Sequence, residues 1–131
     1  YPSLLALAED SDILFVSCQG GESTCGLIDA TVLDALGPKG FLVNVARGTI
    51  VDEDALVAAL LEKRIAGAAL DVYRDEPNAP EALMATENVV MTPHIASSTH
   101  ETRRAMADLV LANLRAHFAG EPAPTPVPDQ R

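Results

Sequence analysis

Short runs of β-branched and aromatic residues alternate with longer amphipathic stretches along the chain, and this alternation predicts the elements. Leu4, Leu5, Leu7 and Ala8 make one or two amphipathic turns. Ser11 and Asp12 then break the pattern before Ile13-Leu14-Phe15-Val16-Ser17, a run of strand length and composition. Residues 19–23, Gln-Gly-Gly-Glu-Ser, read as a loop. A short helix is predicted over 28–36, with Asp29 or Thr31 near its start and Gly37-Pro38-Lys39-Gly40 closing it. Phe41-Leu42-Val43-Asn44-Val45 is the second strand. The clearest helix covers 55–65. Asp52, Glu53 and Asp54 stand where free N–H groups and the helix dipole favour negative charge, Lys63 and Arg64 sit at the opposite end, and Gly67 is the expected stop. Ala68-Ala69-Leu70-Asp71-Val72 and Val89-Val90-Met91-Thr92 are the third and fourth strands. The proline-containing connection between them, 75–87, has room for one helical turn at 81–85. A long helix over 99–118 places Met106, Val110, Leu114 and Phe118 four apart on one stripe, with Leu111 beside them. Prolines at 122, 124, 126 and 128 make residues 121–128 an extended tail.

Continuous apolar strands separated by helices predict an α/β fold with a parallel sheet covered on both faces. The length of 131 residues is that of one domain and suffices to bury a core. Nine Lys and Arg against nineteen Asp and Glu leave a formal charge of -10, which argues against binding to nucleic acid or to an anionic membrane surface. The longest uncharged apolar stretches, such as 55–61, fall far short of the roughly 20 residues of a membrane span. The first ten residues lack the basic region of a signal peptide, so a cytoplasmic location is expected. The chain opens on Tyr1 and runs directly into a helical pattern, which predicts that the protein extends beyond it at the N-terminus. Cys18 and Cys25 have neither redox-pair nor zinc-site spacing, so two reduced thiols and no metal are expected.

In open α/β sheets ligands bind outside the carboxyl ends of the strands, and this rule selects residues. Cys18 and Gln19 follow the first strand, and Ala46, Arg47 and Gly48 follow the second. Asp71, Arg74, Asp75 and Glu76 lie in and after the third, and Pro93 and His94 after the fourth. Singly each is weak, because a histidine is more often structural and Arg47 could simply pair with an acid. Together they supply a fixed cation, a carboxylate and an imidazole. Arg47 can grip a carboxylate bidentately, His94 can exchange a proton near neutral pH, and Glu76 can hold the imidazole tautomer.

These segments resemble the D-isomer-specific 2-hydroxyacid dehydrogenases, a family that includes glyoxylate, hydroxypyruvate and phosphoglycerate enzymes. Phe41-Leu42-Val43-Asn44-Val45-Ala46-Arg47-Gly48 is similar to the strand and catalytic arginine motif, with the helix start at 52–56 after it. Ala68-Ala69-Leu70-Asp71-Val72 with Glu76-Pro77 resembles the segment of the cofactor-contacting aspartate and catalytic glutamate. Thr92-Pro93-His94-Ile95-Ala96-Ser97 resembles the catalytic histidine motif, and Thr24 with Gly26-Leu27-Ile28 fits a loop that precedes it in the family. The departures are Ser17 and Gln19, where many members have His and Pro, and Cys25, where Arg is common.

The resemblance implies the C-terminal half of a doubly wound parallel-sheet (Rossmann) dinucleotide-binding domain plus a long closing helix. Residues 1–98 would be a partial NAD(P)-binding domain, and 99–131 a closing helix and tail that pack on a substrate domain outside this sequence. The first strand would be left as a sheet edge. The resemblance further implies that Arg47 binds the carboxylate and carbonyl oxygen of a 2-keto acid, that His94 protonates that oxygen, and that Glu76 tunes His94. Cys18, Thr24, Val45, Ala46, Arg47, Asp71, His94 and Ala96 would line NAD or NADP, with Asp71 on the nicotinamide side. The GxGxxG fingerprint and the acidic residue roughly 20 positions further on do not occur here. The expected function is therefore hydride transfer between NAD(P)H and a 2-keto acid or D-2-hydroxy acid by the whole protein, a homodimer, with this stretch alone inactive. The alternative is a dinucleotide-sensing or corepressor-type binding module without catalysis.

Overall fold

The structure is a computed structural model that describes residues 1–127; Pro128, the last residue of the expected tail, lies outside the described residues. The elements are α1 (Leu4–Glu9), β1 (Ile13–Val16), α2 (Ala30–Leu36), β2 (Phe41–Asn44), α3 (Glu53–Leu61), β3 (Gly67–Leu70), α4 (Glu81–Met84), β4 (Val89–Met91) and α5 (His100–Ala119). They fall into two compact units, Tyr1–Ala96 with the sheet and a second unit from Ser97 onward with α5. No described helix is long and apolar enough to cross a membrane.

Helix starts follow side chains that satisfy otherwise unpaired N–H groups. Ser3, Asp29, Asp52 and Thr99 accept from the N–H groups of Ala6, Val32, Ala55 and Thr102. Because Asp29 is the cap, α2 starts two residues later than its apolar pattern suggests. Ile28 is drawn instead into a parallel bridge with Val51 and buried. The third helix also ends early, at Leu61 rather than 65. Lys63 takes a left-handed φ of 58°, and the reversed chain sends Ile65 into the core. Gly67 is consequently not a helix stop but the first residue of β3. A Cβ there would stand 2.6 Å from the Asn88 carbonyl oxygen, so close approach of the lead-in to β4 accounts for the glycine.

The four strands are all parallel and lie in the order β1-β2-β3-β4, with β1 at one edge as expected. Leu14, Val16, Leu42 and Leu70 form one buried cluster with Ala8 of α1, Leu33 and Leu36 of α2, and Leu56 and Leu60 of α3. Coverage of both faces is not observed in this unit. Ile13, Phe15, Phe41 and Val90 on the opposite face are 60%, 57%, 47% and 66% exposed. The strand order gives the reason. Right-handed crossovers between strands that advance steadily in one direction put every connecting helix on the same side, and two-sided coverage requires the order to reverse.

The second unit holds α5, which begins at the Thr99 cap and ends at Gly120 in a left-handed conformation, φ 72°. Its predicted stripe of Met106, Val110, Leu114 and Phe118 is exposed. The tail does not run free of it. Asn113 Nδ2 donates to Thr125 Oγ1 at 2.8 Å, and the Thr125 N–H donates to Asn113 Oδ1 at 3.2 Å.

The one-sided sheet sets an expectation for two substitutions. Leu42→Ala, on the covered face, should lower the free energy of unfolding by about 2–5 kcal/mol. Val90→Ala, on the open face, should change it by no more than about 0.5 kcal/mol. Urea midpoints compare the two, and equal losses would place Val90 under a second layer.

Candidate active site

Asn44, the last residue of β2, is 1% exposed. Its Oδ1 accepts the Ala46 N–H and its Nδ2 donates to the Arg47 carbonyl, each at 3.0 Å. This side chain therefore shapes the turn that carries the buried strand into exposed Arg47. Arg47 Nη1 donates to the Ala46 carbonyl at 2.6 Å, and among the described residues the guanidinium makes no ion pair. The stem of Arg47 lies over Gly20, where a Cβ would come within 2.6 Å of its Cγ. At Gly48 a Cβ would meet the Tyr73 carbonyl carbon and oxygen at 2.0 Å, so only glycine lets this segment lie against the backbone after β3.

That second backbone is tied in turn. The Arg74 N–H donates to Glu53 Oε2 at 3.1 Å, and the Arg74 guanidinium reaches Asp54 at 2.9 Å. The Tyr73 N–H donates to Glu76 Oε1 at 3.1 Å, and the buried Tyr73 hydroxyl donates to the Thr92 carbonyl at 2.9 Å. Glu76 Oε2 lies 2.6 Å from His94 Nδ1. The hydrogen bond from His94 is the main reason the Glu76 carboxyl titrates below its ordinary value; burial opposes it, while the Tyr73 N–H and the charges of His94 and Arg47 assist. An ionised carboxylate only accepts, so Nδ1 carries the hydrogen and Nε2 is left to exchange a proton. A cavity of about 320 Å³ with Tyr73, Pro77, Met84 and Met91 in its walls adjoins this pair.

Asp71, the first residue beyond β3, is 5% exposed. It accepts from Thr92 Oγ1 at 2.5 Å, from the Ile95 N–H at 2.9 Å and from the Ala96 N–H at 2.9 Å. Burial alone would raise its pKa, but these three hydrogen bonds and the charge of His94 outweigh it and hold the carboxyl below its usual range. The remaining candidates are placed as follows. Val45 is half-buried and Ala46 buried at the end of β2, and Cys18 is exposed in the loop after β1. The Thr24 hydroxyl donates to the Gln19 carbonyl at 3.0 Å and closes its own loop. The structure thus joins Glu76 to His94 and Asp71 to Ala96. Among the described residues, Cys18 and Thr24 have no hydrogen bond to either pair. Sequence reasoning overlooked Asn44, Gly48, Tyr73 and Thr92 as supports. Only Asn44 carried a visible signal, as a polar residue inside an apolar strand run.

The Glu76 shift makes stability depend on pH. A carboxyl whose folded pKa lies below its ordinary 4.5 contributes stability above that value, and the contribution disappears as pH falls through the folded pKa. Urea midpoints should therefore fall more steeply below about pH 4.5 in the wild type than in Glu76→Gln; superimposable profiles would show that the Glu76–His94 contact is not formed.

Residues 1–96 match the family described as D-isomer specific 2-hydroxyacid dehydrogenase, NAD binding domain. The chain is 54% identical over 127 residues to glyoxylate/hydroxypyruvate reductase A of Arabidopsis thaliana, covering 97% of this chain and 41% of that protein. Hydroxyphenylpyruvate reductase of Plectranthus scutellarioides is also 54% identical over 127 residues, with the same 97% and 41% coverage. A crystal structure of NADPH-dependent glyoxylate/hydroxypyruvate reductase from Sinorhizobium meliloti, in complex with NADP and malonate, matches with a TM-score of 0.95 at 52% identity, over 98% of this chain and 40% of that one. The chain spans about two fifths of the length of these relatives. With its parallel sheet, its Arg47, Glu76 and His94 at one sheet edge, and these matches, the chain belongs to the D-isomer-specific 2-hydroxyacid dehydrogenase family through that family's NAD-binding domain.

Proposed function

We propose that this chain supplies the carboxylate-binding and proton-donating residues of a reductase that converts 2-keto acids to D-2-hydroxy acids with NAD(P)H. The 2.6 Å contact between His94 Nδ1 and Glu76 carries the reading, because it leaves Nε2 as the proton-exchanging atom at the edge where Arg47 stands without an ion pair among the described residues. A binding module that only senses a dinucleotide has no need of such a pair.

The carboxyl edge of the sheet fits the nicotinamide end of the cofactor. Half-buried Val45 and buried Ala46 offer an apolar wall beside exposed Arg47 and His94, in the position where open α/β sheets take ligands. When bound, the dinucleotide supplies the hydride that reaches the carbonyl carbon. The guanidinium of Arg47 holds the substrate carboxylate and orients the keto oxygen toward His94. Arg47 also offsets negative charge as it gathers on that oxygen. His94 Nε2 delivers the proton to the oxygen, and Glu76 keeps the imidazole oriented for that delivery. The relatives named for glyoxylate, hydroxypyruvate and hydroxyphenylpyruvate support small 2-keto acids as the substrate class, and the relative crystallised with NADP and malonate supports a site that takes a carboxylate and a dinucleotide.

Three outcomes test this. In the protein expressed from its whole reading frame, His94→Ala should lower kcat for glyoxylate or hydroxypyruvate on the order of 10²–10⁴-fold. Arg47→Lys, which keeps the charge but not the two-pronged grip, should lower kcat/KM on the order of 10²-fold. Near-normal kinetics in either variant would remove that residue from the mechanism. The 131-residue chain by itself, whose sequence contains no glycine-rich pyrophosphate loop, should neither turn over these keto acids nor bind NADH tightly; turnover by a purified chain of verified mass would overturn this.

A further inference from the structure

We propose that Asp71 is a positioning residue for His94: its buried carboxylate holds the loop on both sides of the histidine and so fixes the backbone turn that aims the imidazole at Glu76. The inference rests on the reading of His94 as the proton donor and concerns how that donor is placed.

His94 has a φ of 53°. In that left-handed region the Cβ of an L-residue crowds its own backbone, so a histidine remains there only if its surroundings hold it. One local bond helps, from the His94 N–H to the Thr92 carbonyl at 3.1 Å, but it involves only the residues of the turn itself. The hold from outside comes from the residue that follows β3. Asp71 accepts from Thr92 Oγ1, two residues before His94, and from the N–H groups of Ile95 and Ala96, the two residues after it. Three of the roughly four acceptor directions of a carboxylate are thus taken by one five-residue stretch. The carboxylate is buried at the end of a paired strand, so it is a rigid point to which the loop is tied. Adjacent residues complete the arrangement. The Tyr73 hydroxyl reaches the Thr92 carbonyl, and Glu76 takes the imidazole itself, so Asp71, Tyr73 and Glu76 of one segment hold the backbone and the ring of another. Asp71 thereby acts through His94 and not on the substrate.

The test is made by nuclear magnetic resonance on the 131-residue chain and needs no turnover, so it fails or succeeds independently of the catalytic reading. In the wild type, the His94 Nδ1–H should give a downfield resonance from its bond to Glu76, and the Ile95 and Ala96 amides should be protected from hydrogen exchange. In Asp71→Asn, which keeps the shape but replaces one acceptor oxygen by an NH₂ group, these two amides should exchange roughly tenfold faster, the ratio expected for losing a charge-assisted hydrogen bond, and the His94 resonance should disappear. The core amides of Leu42 and Leu70 should remain protected. Retention of the His94 resonance overturns the proposal, even if the two amides lose protection, because the carboxylate would then hold the loop without placing the ring. Should Asp71→Asn fail to fold, Thr92→Val decides. It removes a single donor to Asp71, and should speed exchange at Ile95 and Ala96 and broaden the His94 resonance; no change in either measurement overturns the proposal.

Discussion

Parallel pairing in register brings Val16, Asn44, Leu70 and Met91, the last residues of the four strands, onto one line across the sheet. Everything chemical in the chain depends on that alignment, since Arg47, Asp71, Glu76 and His94 follow three of these ends within a few residues. A slip of one residue between β2 and β3 would move Arg47 by about 3.3 Å relative to Glu76 and would turn the inward side chains of one strand to the open face. Leu42 and Leu70, buried in the same cluster, are what make such a slip costly. The hydrophobic core and the placement of the site are thus consequences of the same register.

The polar groups of the molecule divide by burial into two sets with different work. Asn44, Glu53 and Asp71 are the buried polar side chains of the described core, and each binds backbone N–H groups of a loop at the sheet edge: Ala46, Arg74, and Ile95 with Ala96. None of the buried side-chain polar atoms described is left without a partner. Leaving such a group unpaired costs about 1–3 kcal/mol, so the loops are held by the penalty of letting go as much as by the bonds themselves. Arg47, Glu76 and His94 form the exposed set. Rigid loops built on buried acceptors thus carry reactive side chains that remain solvated.

Much of this was legible in the sequence because short-range rules govern it. The strand runs stand out by β-branched and aromatic content, the caps Asp29, Asp52 and Thr99 stand at the starts of their helices, and Arg47, Glu76 and His94 follow from the rule of strand ends. What escaped depends on contacts distant in the chain. Gly67 looks like a helix terminator until the Asn88 carbonyl beside it is known, and Lys63 gives no hint of its left-handed turn because burial of Ile65 imposes it. Asp71 reads as a ligand-facing acid at a strand end, and that reading gives no sign of the three donors some twenty residues away that hydrogen-bond to it. Apolar strand composition implies two-sided coverage, but composition does not record strand order.

The position of β1 at the sheet edge bears on how copies of this chain meet one another. An edge strand presents unpaired backbone groups along one side, and Ile13 and Phe15 add exposed apolar surface to it. Lysine or proline is a usual guard on such an edge; here the four strand residues are Ile-Leu-Phe-Val and carry neither. The protection is long-ranged instead. Two chains each at -10 repel before their edges touch, and the reach of that repulsion shrinks from about 30 Å at 0.01 M salt to about 8 Å at physiological ionic strength. Approach of two copies of this chain is thus opposed by net charge, whose reach the ionic medium sets, and not by any local feature of the strand.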